Sequence, residues 1–472
     1  MLRKFTPYLC GAYFSAAVLI AASLPFLTED GAMPLYAPCV LSALALLVLH
    51  VGIVWPRPQG AIASTHVLLP VVYFAVHFSY QLCVLCGMRE FFDHEYIEAG
   101  SHFRATVLCL SGFLMLLSGL MHGYSPVAPL SSSGATALQN EDSLNKATLW
   151  IVGICMLLMT GLAIAGGFGV LLTMPYAHPD TVGVVGRLYE AVQKVFTIAL
   201  LLSMATLRRG LGFTAYAIPG VCAGIWFLFW SLVGLRGHTQ VFLLGMLIAW
   251  STRIRPLSRT TIAVGCAAAL LSWLVIGQAR HRSTHGEGLA QMAPLETIAL
   301  LVTQPGQIIT TVDRALDLHP ADEPYRYGLT YLSSLRYAFP NIGGGERSQF
   351  EGYADWMADY YSLPNGLGGT KGLGSSPLTE AYANFSVFGV FVLFLIGLAA
   401  AKLETRAIVL RRSPAVFYYT LFSVVMVWSM RNDSLSWGRW FVWSYIVWIS
   451  AVRLSAHLPR TQRQGREPSF SC

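Results

Sequence analysis

Long, almost uncharged apolar runs recur along this 472-residue chain, and they restrict its fold more than any motif does. About twelve of them have the ~17–25 residues an α-helix needs to cross a bilayer. They lie near 7–27, 34–55, 61–87, 103–122, 147–172, 190–207, 212–234, 239–251, 260–277, 379–400, 413–430 and 434–455. In hydrocarbon, a backbone must satisfy its own N–H and C=O groups, so such runs become helices. The expectation is an all-α polytopic membrane protein. Charged residues make up only 12% of the chain, against about a quarter in a soluble domain. The first run is too long for a cleaved leader, and the chain keeps re-entering the membrane.

The basic residues orient the chain. With the N-terminus inside, one set of connectors carries Arg3, Lys4, Arg57, Lys146, Arg208, Arg209, Arg253, Arg255, Arg259, Lys402, Arg406, Arg411 and Arg412, and the tail adds Arg453, Arg460, Arg463 and Arg466. These inside segments hold only Glu141, Asp142, Glu404 and Glu467 as acids. The positive-inside rule therefore puts both termini in the cytoplasm, and an even helix count agrees. The net charge of +7 follows from this bias and does not point to nucleic acid.

Three stretches follow: helices 1–9 over 1–277, a long outer loop over 278–378, and helices 10–12 with the tail over 379–472. Charges are nearly absent from the middles of the runs, where a coupled transporter places acids. They gather instead at the outer ends, as Arg236, Arg280, Arg282, Glu380, Arg431, Asp433 and Arg439. His66 and His77, on apolar faces, read as packing residues. Cys83 and Cys86 form a C-x-x-C that reads as packing more than as a redox pair. The Ser-, Ala- and Pro-rich stretch 125–146 reads as a flexible connector.

Connectors as long as this loop are usually functional or disordered, and this one is too apolar for a plain linker. After Pro305, residues Ile308, Ile309, Val312 and Leu316 share one face of a short amphipathic helix. This helix lies on the membrane or on the bundle, and it holds Arg314 near headgroups. Arg326 and Arg336 follow, and then Glu351, Tyr353, Asp355, Trp356, Asp359, Tyr360 and Tyr361. Acids interleaved with aromatics suit a sugar; they equally suit a small packed subdomain. The glycine run 366–374 lacks the Walker arrangement around Lys371. It leads to Ser376-Pro377, a helix start whose N-terminus favours anions. Glu380 falls in that first turn, where dipole complementarity alone would account for it. Arg236, in the tight turn Leu235-Arg236-Gly237-His238, either snorkels to the surface or serves a site.

Several of these pieces form one pattern. They are Gly234-Leu-Arg236-Gly, the Arg280/Arg282 pair, Arg336-Tyr-Ala-Phe-Pro340, Gly374-Ser-Ser-Pro-Leu-Thr-Glu-Ala-Tyr-Ala-Asn-Phe385 and Arg431-Asn-Asp433. In order and topology they resemble the Wzy-type polymerases of O-antigen and enterobacterial common antigen, the oligosaccharide repeat-unit polymerases. The resemblance covers mainly residues 230–450.

It implies a GT-C-like, inverting, metal-independent glycosyltransferase of the bacterial inner membrane, working without a cofactor on the periplasmic face. The substrate would be an undecaprenyl-pyrophosphate-linked oligosaccharide. The growing glycan would pass to the non-reducing end of an incoming repeat, releasing undecaprenyl pyrophosphate. The partners implied are the lipid bilayer, this lipid-linked substrate and a chain-length co-polymerase. Charge building on a pyrophosphate leaving group suits arginine, which forks onto phosphate oxygens. The resemblance assigns Arg236, Arg280, Arg282, Arg314, Arg431 and Arg336 to that group. The acceptor hydroxyl needs a base or an orienting acceptor, and the candidates are Glu380, Asp433, His285 and Glu351. Tyr353, Trp356, Glu351 and Asp355 are the candidate sugar contacts. An O-antigen ligase shares this arginine logic, while a lipid-linked-oligosaccharide flippase or a scaffold for export would belong to other classes.

Overall fold

The computed structural model describes residues 2–27, 33–54, 64–86, 102–123, 135–166, 183–207, 213–233, 236–255, 257, 260, 306, 308–336, 338, 352–361 and 374–458. Among the described residues there are helices and turns and no strand. The first nine helices are α1 (Leu2–Ser23), α2 (Met33–Val54), α3 (Thr65–His77), α4 (Ser79–Leu85), α5 (Phe103–Gly123), α6 (Ala135–Gly166), α7 (Gly183–Thr206), α8 (Phe213–Val233) and α9 (Arg236–Arg253). Three short helices follow in the loop: α10 (Ile308–Leu318), α11 (Leu329–Arg336) and α12 (Tyr353–Tyr360). The chain then returns to the bundle through α13 (Pro377–Phe385), α14 (Val390–Leu410), α15 (Ser413–Ser429) and α16 (Ser434–His457).

Each expected run from 7–27 to 239–251, and from 379–400 to 434–455, is met by helix. The run 260–277 lies outside the described residues, apart from Thr260. Six stretches are long and apolar enough to span a membrane: Pro7–Phe26, Leu35–Ile53, Phe103–Gly123, Glu141–Gly166, Val184–Thr206 and Pro377–Leu410. A seventh span results if α3 and α4, bent by 56°, are one crossing. The chain is thus an all-helical polytopic membrane protein.

Two details are added. The run 379–400 falls within one candidate span, and the 3₁₀ turn Ser386–Gly389 interrupts it between α13 and α14. The connector 125–146 is not wholly irregular. Helix α6 reaches back to Ala135, through a stretch of good helix formers such as Ala, Leu, Gln and Glu. Its Glu141 then accepts from the Ser413 amide at 2.9 Å and from Arg253 Nη2 at 2.8 Å, so this acid caps α15.

Helix α5 is the centre of the bundle, buried along nearly its whole length. Against it α14 approaches closely enough to require glycine. A Cβ on Gly119 would sit 2.1 Å from the Phe394 carbonyl oxygen, and one on Gly397 would sit 2.4 Å from that of Leu116. Without a hydrophobic drive between helices in lipid, small residues that let backbones approach supply the contact. At the far end of α14, Glu404 accepts from the Thr65 amide at 2.9 Å and from Ser64 Oγ at 2.6 Å, capping α3. His66 and His77 are buried at 1% and 0% exposure, and the His77 ring stacks on Tyr73 at 4.0 Å. Cys83 and Cys86 are both free thiols.

Candidate active site

The loop helices dock on one end of this bundle. The apolar face foreseen for α10 is real: Ile308, Ile309, Val312 and Leu316 are each 4% exposed or less. It packs on α5, α13 and α3, so of the two surfaces open to it the helix uses the bundle. His102 Nδ1 lies 2.8 Å from Asp313 Oδ2, joining the start of α5 to α10.

Helix α13 begins where capping rules put it. The Ser376 side chain accepts the Thr379 amide at 3.1 Å, and Pro377 takes the first helical position. Gly374, at φ +73°, supplies the left-handed residue just before. Within the first turn, Glu380 does not face solvent. It is fully buried, and three neutral donors surround its carboxylate: Thr330 Oγ1 at 2.5 Å, the Ser434 amide at 2.6 Å, and Ser434 Oγ. This carboxylate therefore caps α16 from a neighbouring helix, and the dipole of its own helix does not account for its position. One turn on, Asn384 donates to Thr330 Oγ1 at 2.7 Å and to the Glu380 carbonyl at 2.8 Å, and its Oδ1 accepts the Gly328 amide at 2.8 Å. With Asn384 donating to it, the Thr330 hydroxyl is left to point its proton at Glu380.

Asp433 is the residue next to Ser434 and the N-cap of α16. Its Oδ1 accepts the Ser436 amide at 3.4 Å, and its Oδ2 accepts the Ala354 amide of α12 at 3.2 Å. Burial pushes this carboxyl above its ordinary value, against the opposing pull of those amides and of Arg439. Ser434 Oγ also meets Ser334 Oγ at 2.6 Å. The first turn of α16 is thus the point where α11, α12, α13 and α16 meet.

Around this centre lies an aromatic shell. His319 places Nδ1 3.0 Å from the Glu323 carbonyl and Nε2 3.2 Å from Tyr353 Oη. Arg326 lies over the Trp356 ring at 4.0 Å, and Arg314 over Tyr361 at 4.9 Å. Arg314 Nη1 is buried without a hydrogen-bond partner among the described residues. Tyr325 and Tyr382 bring their hydroxyls within 3.5 Å, and Ser386 Oγ donates to Tyr325 at 2.9 Å.

The structure joins Glu380 to Asp433 through Ser434, and it places Arg431 just before them, exposed and beside Gly374. Arg336 ends α11 and is also exposed. Arg236 opens α9, but its side chain lies outside the described residues, as do Arg280, Arg282, His285 and Glu351 altogether. Of the sugar candidates, Tyr353 is 2% exposed and its ring is used in packing against His319 and Trp356. Trp356 is half-buried and Asp355 exposed. Sequence reasoning gave no role to Thr330, Asn384, Ser434, His319 or Gly352. Asp433-Ser-x-Ser436 does carry an N-cap signal, and Asn384 stands within the run around Glu380. Thr330 and His319 left none, because their partners are 50 and 34 residues away in sequence.

A helical bundle with two buried carboxylates at one end, covered by loop helices that carry arginines and aromatics, defines an integral membrane protein with a polar site at the bundle's end. Within that class, the family model for the O-antigen polysaccharide polymerase Wzy matches residues 189–461, and the chain belongs to this family. The match runs from α7 through the whole candidate site. No curated protein and no solved structure matches the chain.

Proposed function

We propose that this chain polymerises undecaprenyl-pyrophosphate-linked oligosaccharide repeats on the periplasmic face of the bacterial inner membrane. The growing glycan leaves its lipid carrier for the non-reducing end of an incoming repeat, and undecaprenyl pyrophosphate departs. In this reading the chain crosses the membrane twelve times in a GT-C-like bundle, with both termini cytoplasmic. Its parts are 1–277, the loop 278–378, and 379–472, and a chain-length co-polymerase works beside it. The reaction needs no metal, so cationic side chains neutralise the leaving group.

The observation that carries the reading, beside the family match, is the Glu380–Ser434–Asp433 cluster under the loop helices. Glu380 is the first choice for the group that orients the acceptor hydroxyl. Its carboxylate already holds two hydroxyls, those of Thr330 and Ser434, in the geometry a sugar hydroxyl would adopt there. Asp433 comes second and His285 third. Arg314, whose buried Nη1 has no hydrogen-bond partner among the described residues, and Arg431, beside Gly374, are the described arginines best set for the pyrophosphate. Arg236, Arg280, Arg282 and Arg336 complete that assignment. Trp356 and Asp355 present surface for a sugar, and Glu351 and Tyr353 are the further candidate sugar contacts. Each well-aimed donor on a developing oxyanion is worth about 3 kcal/mol.

The test uses purified full-length protein with the lipid-linked repeat extracted from a strain lacking this chain. Polymer formed without nucleotide or added metal supports the reading. Transfer of glycan to lipid A core without elongation identifies a ligase, and movement across vesicles without a new glycosidic bond identifies a flippase.

A further inference from the structure

The loop helix α12 starts in an unusual way. Its N-cap is Gly352, which has no side chain to satisfy the first amides of the helix. The acceptor comes from another element: Asp433 Oδ2 takes the Ala354 N–H at 3.2 Å, while Oδ1 stays with Ser436 of its own helix. One carboxylate, 5% exposed, therefore caps two helices, one from the loop and one from the bundle. The approach depends on Gly352. A Cβ there would lie 2.2 Å from Asp433 Oδ2 and 3.2 Å from its Cγ, so any other residue displaces the carboxylate. The backbone of Gly352 is extended (φ −159°), open to all residues, so what excludes a side chain is the room taken by the carboxylate.

What α12 carries gives this contact its consequence. Tyr353, Met357 and Ala358 are buried, Trp356 is half-buried with Arg326 over its ring, and Asp355 is exposed. Register and tilt of α12 fix where the Trp356 face stands relative to Glu380. The start of the helix is held by Asp433; its body is held by Tyr353 on His319, and its end by Tyr361 Oη on the Arg314 carbonyl at 3.4 Å.

We propose that Gly352 and Asp433 form a latch that positions α12, and with it Trp356, over the outer end of the bundle, so that the latch governs how tightly the sugar of the lipid-linked repeat is held. Gly352 is a positioning residue; it touches no reacting atom. The inference rests on the polymerase reading for its substrate, although the latch itself is testable without it.

The first measurement is hydrogen–deuterium exchange on the full chain in nanodiscs. Gly352→Ala should speed exchange across 353–360 by about tenfold while leaving 390–410 unchanged. The second is polymerisation of the lipid-linked repeat extracted from a strain lacking this chain. The apparent KM should rise about tenfold and kcat should fall by less than that, since the displaced Asp433 is only the second choice for the group that orients the acceptor. Unchanged exchange in 353–360, or a loss confined to kcat, overturns the latch. Should Gly352→Ala fail to accumulate, Asp433→Asn decides by exchange alone, because Asn still caps α16 yet loses one of the two acceptors. Faster exchange in 353–360 of that variant supports the latch, and wild-type exchange refutes it. If wild-type protein makes no polymer, the polymerase reading fails while the exchange result still judges the latch.

Discussion

Glu380 accepts the backbone N–H of Ser434 at 2.6 Å, so a side chain from the first turn of one helix caps the first turn of another. The same carboxylate takes the hydroxyls of Ser434 and Thr330. A buried acid surrounded by neutral donors is held in place by hydrogen bonds and, among the described residues, by no ion pair. Removing it would orphan a buried amide and two hydroxyls.

Glu380→Ala should therefore act twice. Loss of the orienting acceptor should reduce polymerisation by about 10²–10⁴-fold, and the unpaired Ser434 amide should destabilise the protein by about 1–3 kcal/mol. Thr330→Val separates the two effects: it removes one donor, costs about 1 kcal/mol, and leaves the carboxylate. Chain-length ladders with thermal unfolding in detergent check both. A Glu380→Ala protein with normal ladders removes Glu380 from the chemistry.

Arginine substitutions address the leaving group. Arg236→Ala and Arg314→Ala should each abolish long chains at normal protein level. Arg314→Lys should not restore them, since a point charge does not reproduce a guanidinium fork. Ladders beside membrane immunoblots give the answer, and full-length ladders from Arg236→Ala would end its assignment.

The crossing of α5 and α14 predicts a folding defect rather than a catalytic one. Gly119→Leu or Gly397→Leu puts bulk where a Cβ already meets backbone at 2.1 and 2.4 Å. Both should cut the level of folded protein sharply. Gly153→Leu, where a Cβ meets nothing within 4 Å, should be tolerated. Fluorescence-detected size exclusion of tagged protein tests the contrast.

His319 gives a pH dependence. Burial lowers its pKa from the ordinary 6.5, so in the fold the ring stays neutral between the Glu323 carbonyl and Tyr353 Oη. The unfolded ring binds its proton near pH 6.5 and the folded ring only at lower pH. Stability from this contact is complete above the unfolded value and is lost as pH falls through the folded one. Exchange in 308–361 should thus speed up between about pH 7.5 and about pH 5.5 beyond its intrinsic change. A His319→Gln protein should lack that excess.

The carboxylates mark how far sequence reasoning carried. Glu380 and Asp433 stood out as acids at the ends of apolar runs, and Ile308, Ile309, Val312 and Leu316 as one helical face. Both signals are local, set by spacing of a few residues, and the structure keeps them. Tyr353 shows the opposite. Whether an aromatic faces a sugar or a protein core depends on its neighbours, and here His319, 34 residues away, claims its hydroxyl.

The sequence by itself determined that the chain is helical and that it belongs in a membrane. Hydrocarbon admits only self-satisfied backbone, so apolar length alone is decisive. Tertiary structure decided which acids meet. Glu380, Thr330, Ser434 and Asn384 come from three helices, and no local period joins them. It also decided that a side chain at Gly352 would push a carboxylate aside, because the atom it would meet belongs to Asp433 in another helix.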